Sequence, residues 1–391
     1  MVVFDILIYV FFAWVMYAYA KRSYVFANRT GRLEQLDKNL CFFWLVFAVI
    51  CGIRWNVGVD CIDYMINFEK GKININKNEY IWQAIVLLIK KLQLHYTVGM
   101  GLVAFLQIYF LTKISCRYRY ILVFMPVALF GGCYFLDYCN GMRQMLAANI
   151  FVYGTQFILY KRPIRYLILI FIASYIHHSV VMMYPMILFA YIRPNMISFS
   201  DKRLICIVVF IICFVAGLTP QFAGFLNYFN FFVNNMDDSY SYVGNVIERT
   251  IVDGDNDTLS FGPMQLSYFL TSLATIWYGK DLKAMYKDKI PYYNLWWFFS
   301  FVYGCGYFLV CNISFMFIRP FQYFEPFQLI IVSLLLYYLH NMRKNKQFWL
   351  LVVVLWTNII WNVIKSVGVF GESVTYKMFI FHDLYEGMRV V

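Results

Sequence analysis

The sequence is poor in charged residues, in proline and in histidine. Of its 391 residues, 14% are Asp, Glu, Lys or Arg, 9 are proline and 5 are histidine, whereas 62% are hydrophobic and the mean hydropathy is +0.62. A soluble domain of this length would not carry so many apolar runs of about 20 residues. The composition therefore excludes an ordinary soluble enzyme and predicts an all-α integral membrane protein.

The sequence also lacks the spacings that mark common metal and cofactor sites. Its 10 cysteines include no Cys-x-x-Cys pair, and most lie within apolar segments. This excludes the usual zinc spacings and provides no disulfide framework. There is no glycine-rich phosphate loop and no Ser/His/Asp order. We expect no cofactor and no required metal, although the acidic loop 220–262 could hold a cation.

The apolar runs predict a polytopic bundle of about 10–12 transmembrane helices. For two stretches, the apolar pattern does not decide whether the chain crosses the membrane. Residues 79–94 are amphipathic, which is typical of a surface or re-entrant helix, and residues 164–192 are interrupted by two histidines. The second stretch is either one kinked span or two half-helices. The clearer helices are predicted at residues 2–20, 40–53, 96–114, 119–136, 144–160, 203–219, 263–281, 291–312, 318–339 and 346–365.

The net charge of +12 reflects basic residues in short loops, as the positive-inside rule requires, and does not indicate nucleic-acid binding. Six basic loops all face the cytoplasm only if residues 79–94 do not cross and residues 164–192 form a re-entrant hairpin. That arrangement gives about ten crossings, an uncleaved first helix and both termini outside. We thus expect one transmembrane domain, 1–391, with these segments outside: 54–78, 137–143, 220–262, 313–318 and 366–391.

Three arginines fall at the predicted outer ends of helices: Arg54, Arg143 and Arg319. Charged residues at membrane depth are costly, so each is a candidate functional residue. A guanidinium presents two parallel N–H groups that match two oxygens of a phosphate or carboxylate. Together the arginines suit a pyrophosphate. The alternative is that they anchor lipid headgroups or form salt bridges with Asp60 and Asp63.

Asp60, Asp63 and His178 are the candidates for moving a proton. The two aspartates are three residues apart, so one helical turn would place them on one face, and Gly58 permits a tight turn before them. They could bind sugar hydroxyls or accept a proton, or they could only neutralise Arg54. His178 is the preferred general base because imidazole titrates near neutral pH. A hydrogen-bonded core histidine is its alternative.

Four segments resemble motifs of the EpsG-like membrane family, and they occur in that family's order. They are residues 53–64 (IRWNVGVDCIDY), 141–148 (GMRQMLAA), 172–179 (IASYIHHS) and 319–324 (RPFQYF). His178 stands where that family has its histidine. The sequence departs from the family pattern at Cys61, where tyrosine is frequent, and at Val180, where alanine is frequent. Neither departure changes a charged group.

The resemblance implies a GT-C-like membrane glycosyltransferase of the Wzy type, which polymerises O-antigen, capsule or exopolysaccharide. Its expected partners are undecaprenyl-pyrophosphate-linked glycans, membrane lipid, a chain-length regulator and a flippase. It would lie in the bacterial cytoplasmic membrane with its active site outward. His178 would be the base with Asp60 as the second candidate, and the three arginines would bind pyrophosphate. Secondary substrate contacts would come from Asp63, Tyr64, Gln144 and Tyr323.

Three other functions would also use charged residues near lipid. A transporter of lipid-linked oligosaccharides should show repeats and paired broken helices, and the sequence shows neither. A membrane acyltransferase acting on glycans would use histidine, but it commonly needs an acyl donor from the cytoplasmic side. An O-antigen ligase differs from a polymerase only in its acceptor.

Overall fold

The computed structural model describes residues 2–31, 35–73, 78–192, 197–219, 262–312, 315–366 and 374–382. The regular elements of these residues are helices, and their one β-type pairing is an isolated bridge between Arg54 and Met378. The predicted outer loop 220–262 falls almost wholly outside the described residues. The chain is an all-α polytopic membrane protein.

We number the α-helices in chain order. They are α1 Val2–Thr30, α2 Lys38–Gly52, α3 Cys61–Lys70, α4 Tyr80–Lys91, α5 Tyr96–Lys113, α6 Tyr120–Gly131, α7 Tyr134–Asn140, α8 Met142–Leu159, α9 Pro163–Ser174, α10 Arg203–Gly217, α11 Pro263–Trp277, α12 Gly279–Tyr286, α13 Tyr293–Val310, α14 Phe315–Gln322, α15 Glu325–Asn341 and α16 Asn345–Lys365. Three 3₁₀ segments accompany them: Ile114–Tyr118, His178–Ala190 and Phe379–Phe381.

Helices α6, α8 and α15 form the centre of the bundle. Nearly every residue from Glu325 to Leu339 of α15 is buried, and α6 is buried on all sides from Ile121 to Gly131 apart from Val127. A helix that is apolar around its whole circumference must be enclosed by other helices. Helix α6 packs against α1 and α15, α8 packs against α5 and α9, and α15 packs against α13. The outer helices keep one lipid-facing side.

Within the described residues, three helical segments are long and apolar enough to cross a membrane on their own: Val2–Thr30, Tyr96–Tyr118 and Asn345–Lys365. A fourth span results if α6 and α7, which meet at a 73° bend, are counted together. Helices α2, α9 and α10 are also apolar but shorter, with 10–17 residues. The expected number of crossings stays a prediction.

Residues 164–192 fold back on themselves. The hydroxyl of Tyr166 in α9 donates a hydrogen bond to the carbonyl of Met183 in the following 3₁₀ segment. If the two helical pieces continued in one direction, these residues would be separated by on the order of 25 Å. The chain turns at 175–177, directly before His178. The interpretation as two half-helices meeting at the histidines is therefore confirmed, as is the hairpin shape.

Several predicted helix ends are wrong, each for a local reason. Helix α1 continues ten residues beyond the predicted end at 20, because its basic last turns remain helical outside the apolar run. The predicted helix 119–136 breaks after Gly131, since Cys133 adopts a left-handed conformation with φ of 62°. The predicted helices 263–281 and 318–339 are likewise divided, into α11 and α12 and into α14 and α15.

A tight turn carries the chain from α2 to α3. Gly58 has a φ of +93°, a conformation that side chains rarely adopt, and a Cβ atom there would lie 2.1 Å from the side-chain oxygen of Asn140. The turn predicted at Gly58 is confirmed. It brings the start of α3 against the junction between α7 and α8.

We predict that Lys70 faces the outside and Arg29 the cytoplasm, because the basic loops define the inner side. Both are exposed basic residues in the last turn of a helix, so they are a matched pair. Single-cysteine variants at each position should be tested with a membrane-impermeant thiol reagent on intact cells. The Lys70→Cys protein should label, and the Arg29→Cys protein should label only after lysis.

The native cysteines Cys61 and Cys139 are not usable for this experiment because both are fully buried. The unmodified protein provides the background signal, since Cys41 is exposed. Labelling of Arg29→Cys in intact cells, with Lys70→Cys protected, would reverse the predicted orientation.

Candidate functional site

The candidate site is centred on the carboxylate of Glu79, which directly precedes α4 and is 3% exposed. One of its oxygens accepts a hydrogen bond from the Arg143 guanidinium. The other lies 2.9 Å from Nδ1 of His177 and accepts a 3.3 Å hydrogen bond from the backbone N–H of His178. Three segments that are distant in sequence thus meet at one carboxylate.

The local backbone explains why these side chains converge. The first N–H groups of a helix have no partner within it. In α4, the N–H groups of Ile81 and Trp82 bond to the carbonyl of Tyr175, at 3.0 and 3.3 Å, at the tip of the hairpin. Arg143 lies in the first turn of α8, just after the break at Gly141. Each site residue therefore lies at a helix end.

The partners of Glu79 determine its charge. Burial alone raises the pKa of Glu79, but the hydrogen bond from His177 and the charge of Arg143 outweigh burial and lower that pKa from 4.5 to about 2. A carboxylate with a lowered pKa stabilises the fold above its unfolded-state pKa and ceases to do so as pH falls through the folded value. The contribution of Glu79 is full above pH 4.5 and is lost toward about pH 2.

Contact with Glu79 orients the imidazole of His177. A carboxylate only accepts hydrogen bonds, so the bond assigns the proton to Nδ1 and leaves Nε2 of the neutral ring as an acceptor. A carboxylate-oriented imidazole is the arrangement in which histidine serves as a general base. The side chain of His178 is exposed, and only its backbone reaches Glu79.

Aromatic side chains and a polar cavity surround the guanidinium of Arg143. Its guanidinium carbon lies 5.6 Å from the centre of the Trp82 ring, and the side chain of Tyr64 is close to it. Its Nε is buried and, among the described residues, lacks a hydrogen-bond partner. A cavity of about 150 Å³ adjoins it, lined by Asn67, Lys72, Ile73, Glu79, Trp82, Gln83 and Arg143. A fixed cation with remaining donor capacity beside a polar cavity can bind an anion.

Asp60 belongs to the same cluster. Burial raises the pKa of Asp60, the charges of Arg319 and Arg143 oppose that effect, and the neighbouring Asp63 adds to it. Both arginines therefore act on one carboxyl group. Asp63 itself is exposed on α3. The predicted role of Asp60 as an alternative base stays a prediction.

Two further hydrogen bonds attach the segment of Arg319 to the site. Gln144 donates from Nε2 to the backbone carbonyl of Arg319 at 2.8 Å. The hydroxyl of Tyr323 lies 2.8 Å from Oγ of Ser179 at the start of the 3₁₀ segment. The predicted residues Gln144, Arg319 and Tyr323 are thus brought together with the hairpin.

Arg54 is placed differently from the other two arginines. Its side chain is completely buried, and its guanidinium donates to the carbonyls of Cys51 and Cys139, the latter at 3.1 Å, and to the sulfur of Met142 at 3.2 Å. These bonds join the end of α2 to the α7–α8 junction. The predicted contact of Arg54 with pyrophosphate stays untested, whereas its contacts support the start of α8.

Sequence reasoning missed Glu79 and chose His178 over His177. The available signal for Glu79 was a single acidic residue directly before an amphipathic stretch, in a region where three arginines needed a counter-charge. The motif comparison had favoured His178, whereas the side chain that contacts Glu79 is that of His177. Within the described residues, no group of three His, Cys, Asp or Glu side chains is placed to hold a metal.

The fold and the site together define a polytopic helical membrane protein with an arginine–glutamate–histidine cluster at its helix ends. The chain belongs to the EpsG family, whose sequence profile matches residues 39–378, so the resemblance seen in the motifs is confirmed. Membership supports a role like that of a polysaccharide polymerase of the glycosyltransferase type. No curated protein and no solved structure matches the chain.

The geometry predicts that His177, and not His178, is the residue on which activity depends. His177→Gln should reduce polymer formation from lipid-linked repeat units by about 10²–10⁴-fold, because an amide cannot take up a proton. His178→Gln should remain close to the unmodified protein. The measurement is the polymerisation rate of each purified variant together with its melting temperature.

The adjacent histidine supplies the matched control. Glutamine at 177 can still hydrogen-bond Glu79, so both variants should melt near the unmodified protein. An inactive His178→Gln alongside an active His177→Gln would restore the assignment made from sequence.

Proposed function

We propose that this protein polymerises undecaprenyl-pyrophosphate-linked oligosaccharide repeat units into a surface polysaccharide at the outer leaflet of the bacterial cytoplasmic membrane. A growing glycan is transferred from its lipid carrier to a sugar hydroxyl of a new lipid-linked unit. A flippase that supplies the units and a chain-length regulator are the proposed protein partners. The family-level role and the charged cluster at the helix ends support this proposal.

The observation that carries the proposal is the junction at Glu79. One carboxylate holds a guanidinium, that of Arg143, beside an imidazole, that of His177. Glycosyl transfer from a pyrophosphate needs both groups: a cation for the leaving group and a base for the acceptor.

The arginines stabilise the leaving group in this mechanism. As the bond between the anomeric carbon and the pyrophosphate oxygen breaks, its electron pair passes to that oxygen and negative charge develops. Preorganised guanidinium groups in a site that excludes water stabilise such charge strongly. Arg143 and Arg319 are assigned this role because both act on the same neighbourhood around Asp60.

His177 accepts the proton of the attacking hydroxyl. Its Nε2 is the acceptor, and Glu79 stabilises the imidazolium that forms. The acceptor oxygen then bonds to the anomeric carbon, and the imidazolium returns its proton to water. His178 and Asp60 remain the alternative bases from the sequence hypothesis, and Tyr64, Gln144, Asp63 and Tyr323 are further proposed substrate contacts.

The hairpin explains how such chemistry can occur next to lipid. Irregular backbone at membrane depth is tolerated only where protein or a water-filled cavity satisfies its polar groups. Here the turn at 175–177 is satisfied by the first N–H groups of α4. Two lipid-anchored substrates can reach a site of this kind laterally, and holding both in register lowers the entropic part of the barrier.

We predict that Arg143→Lys and Arg319→Lys each lose activity although the charge is kept. A lysine ammonium cannot reproduce the two parallel N–H bonds of a guanidinium. Loss of one charge-assisted hydrogen bond in the transition state corresponds to a rate about tenfold to a hundredfold lower. The measurement is the polymerisation rate from purified lipid-linked repeat units at equal protein concentration.

Arg203→Lys is the matched control, since Arg203 also pairs with an aspartate, Asp281 at 3.2 Å, but lies at the start of α10 away from the cluster. It should retain full activity. Unchanged rates in both site variants would show that these arginines are only anchors in the membrane interface.

A further inference from the structure

A groove runs between α1 and α16 on the lateral surface of the bundle, and none of its lining residues belongs to the Glu79 cluster. It has a volume of about 720 Å³. Helix α6 forms its floor with Phe124 and Val127, and the exposed rings of Trp14 and Trp349 form its two rims. A large exposed apolar surface marks a site of interaction with a membrane component or a protein. We call this surface the α1–α16 groove.

The two ends of the groove differ in polarity. At one end the indole of Trp356 packs so closely on α6 that a Cβ atom added to Gly131 would lie 2.9 Å from it. At the other end the lining includes His340 and Asn345, on either side of the turn between α15 and α16. Asn345 and Trp356 are about 16 Å apart along α16, which is about half of a hydrocarbon core of roughly 30 Å. The groove therefore spans one leaflet, and its polar end lies at the headgroup level.

Basic side chains surround the polar end of the groove. The ammonium of Lys21 lies 5.6 Å from the centre of the Tyr17 ring, which lines the groove. Arg343 and Lys346 flank Asn345 in the sequence, and both are exposed. Positive charge thus reaches the polar end from α1 on one side and from the α15–α16 turn on the other.

The helices around the groove carry no negative charge that could neutralise these cations. Residues 6–30 and 326–365 contain neither Asp nor Glu. A second cavity, of about 430 Å³, lies along the last turns of α1 and is bordered by Lys21, Arg22 and Arg29. Clusters of Lys and Arg at the membrane surface attract the headgroups of anionic lipids. An apolar groove with a cationic end is complementary to a lipid that has an apolar chain and a negatively charged head.

We propose that the α1–α16 groove binds an anionic phospholipid of the cytoplasmic leaflet. An acyl chain lies on the floor formed by α6, and the phosphate lies among Lys21, Arg343 and Lys346. An undecaprenyl chain does not fit, because Trp356 closes the groove after about 16 Å and an extended undecaprenyl chain is several times longer. The bound lipid fills the gap that α1 and α16 leave over α6, and this role does not depend on the proposed polymerase function.

The test uses the purified full-length protein in bilayer discs of phosphatidylcholine into which phosphatidylglycerol is titrated. Native mass spectrometry then counts the lipid that stays bound, and the unmodified protein should retain about one phosphatidylglycerol. Replacement of Lys21, Arg343 and Lys346 together by Gln should weaken its binding about a hundredfold, or about fivefold for each charge removed.

The same charge change elsewhere on the predicted inner side supplies the control for this variant. Lys161, Arg162 and Arg165 are exposed at the junction of α8 and α9 and do not line the groove. Their combined replacement by Gln should leave phosphatidylglycerol binding unchanged. A loss of binding equal to that of the groove variant would show a general effect of net charge and would overturn the proposed site.

A second pair of variants tests the apolar part of the groove. Val352 is half-buried and lines the groove, whereas Val353 is 61% exposed and does not line it. The two side chains point about 100° apart around α16. Val352→Trp should fill the groove and release the lipid, and Val353→Trp should retain it. Equal retention by both variants would overturn the groove as the place of the acyl chain.

Melting temperatures in phosphatidylcholine alone show that each variant is folded before its lipid binding is compared. Equal retention of phosphatidylcholine and phosphatidylglycerol by the unmodified protein would mean ordinary contact with the bilayer and would overturn the proposal. Displacement of phosphatidylglycerol by an equal amount of undecaprenyl phosphate would assign the groove to the lipid carrier instead. A dimer without bound lipid would assign it to a second copy of the chain.

Discussion

The organisation of the site depends on one buried carboxylate, that of Glu79. It accepts hydrogen bonds from Arg143, His177 and the backbone of His178, and so fixes α8 and the hairpin relative to α4. A buried charge is tolerated only when it is paired and hydrogen-bonded, and removing one partner leaves the others uncompensated. The contacts that compensate the buried charge of Glu79 therefore also place a cation, Arg143, beside a base, His177.

Chemistry in this protein is concentrated where helices stop. Arg143 follows the α7–α8 break, His177 lies in the turn of the hairpin, and Tyr323 lies between α14 and α15. Helix ends carry unpaired backbone N–H and carbonyl groups that are expensive in an apolar medium. Bringing several ends together lets them satisfy one another, as the carbonyl of Tyr175 does for α4. A polar pocket forms where these helix ends meet.

Three arginines, Arg54, Arg143 and Arg119, show how the same residue type serves different purposes. Arg54 is completely buried and its outer nitrogens are engaged by backbone carbonyls and a sulfur, whereas Arg143 is partly exposed and borders a polar cavity. Arg119, on the predicted inner side, is bonded to Asp37 and Ser23 and joins α1 to the segment before α6. Among the described residues, both Arg54 and Arg143 have an Nε without a partner, so access to a cavity is what distinguishes Arg143.

Sequence reasoning reached the membrane class, the family, the fold-back at the histidines and the turn at Gly58. It reached them because hydropathy, motif order and glycine conformation are local properties of the chain. It also gathered Asp60, Tyr64, Arg143, Gln144, Arg319 and Tyr323 into one set, and the structure places their segments together. It did not reach Glu79 or His177.

The sequence by itself determined that this chain lies in a membrane as a helical bundle with arginines and histidines at helix ends, because apolar run length and charge placement suffice for that. Only the tertiary structure decided which histidine is oriented by a carboxylate and which arginine lies beside a polar cavity. Those properties depend on contacts across 64 and 98 positions, those of Glu79 with Arg143 and with His177. Side-chain direction at such contacts is set by how the helices pack, and the order of residues along one helix does not encode it.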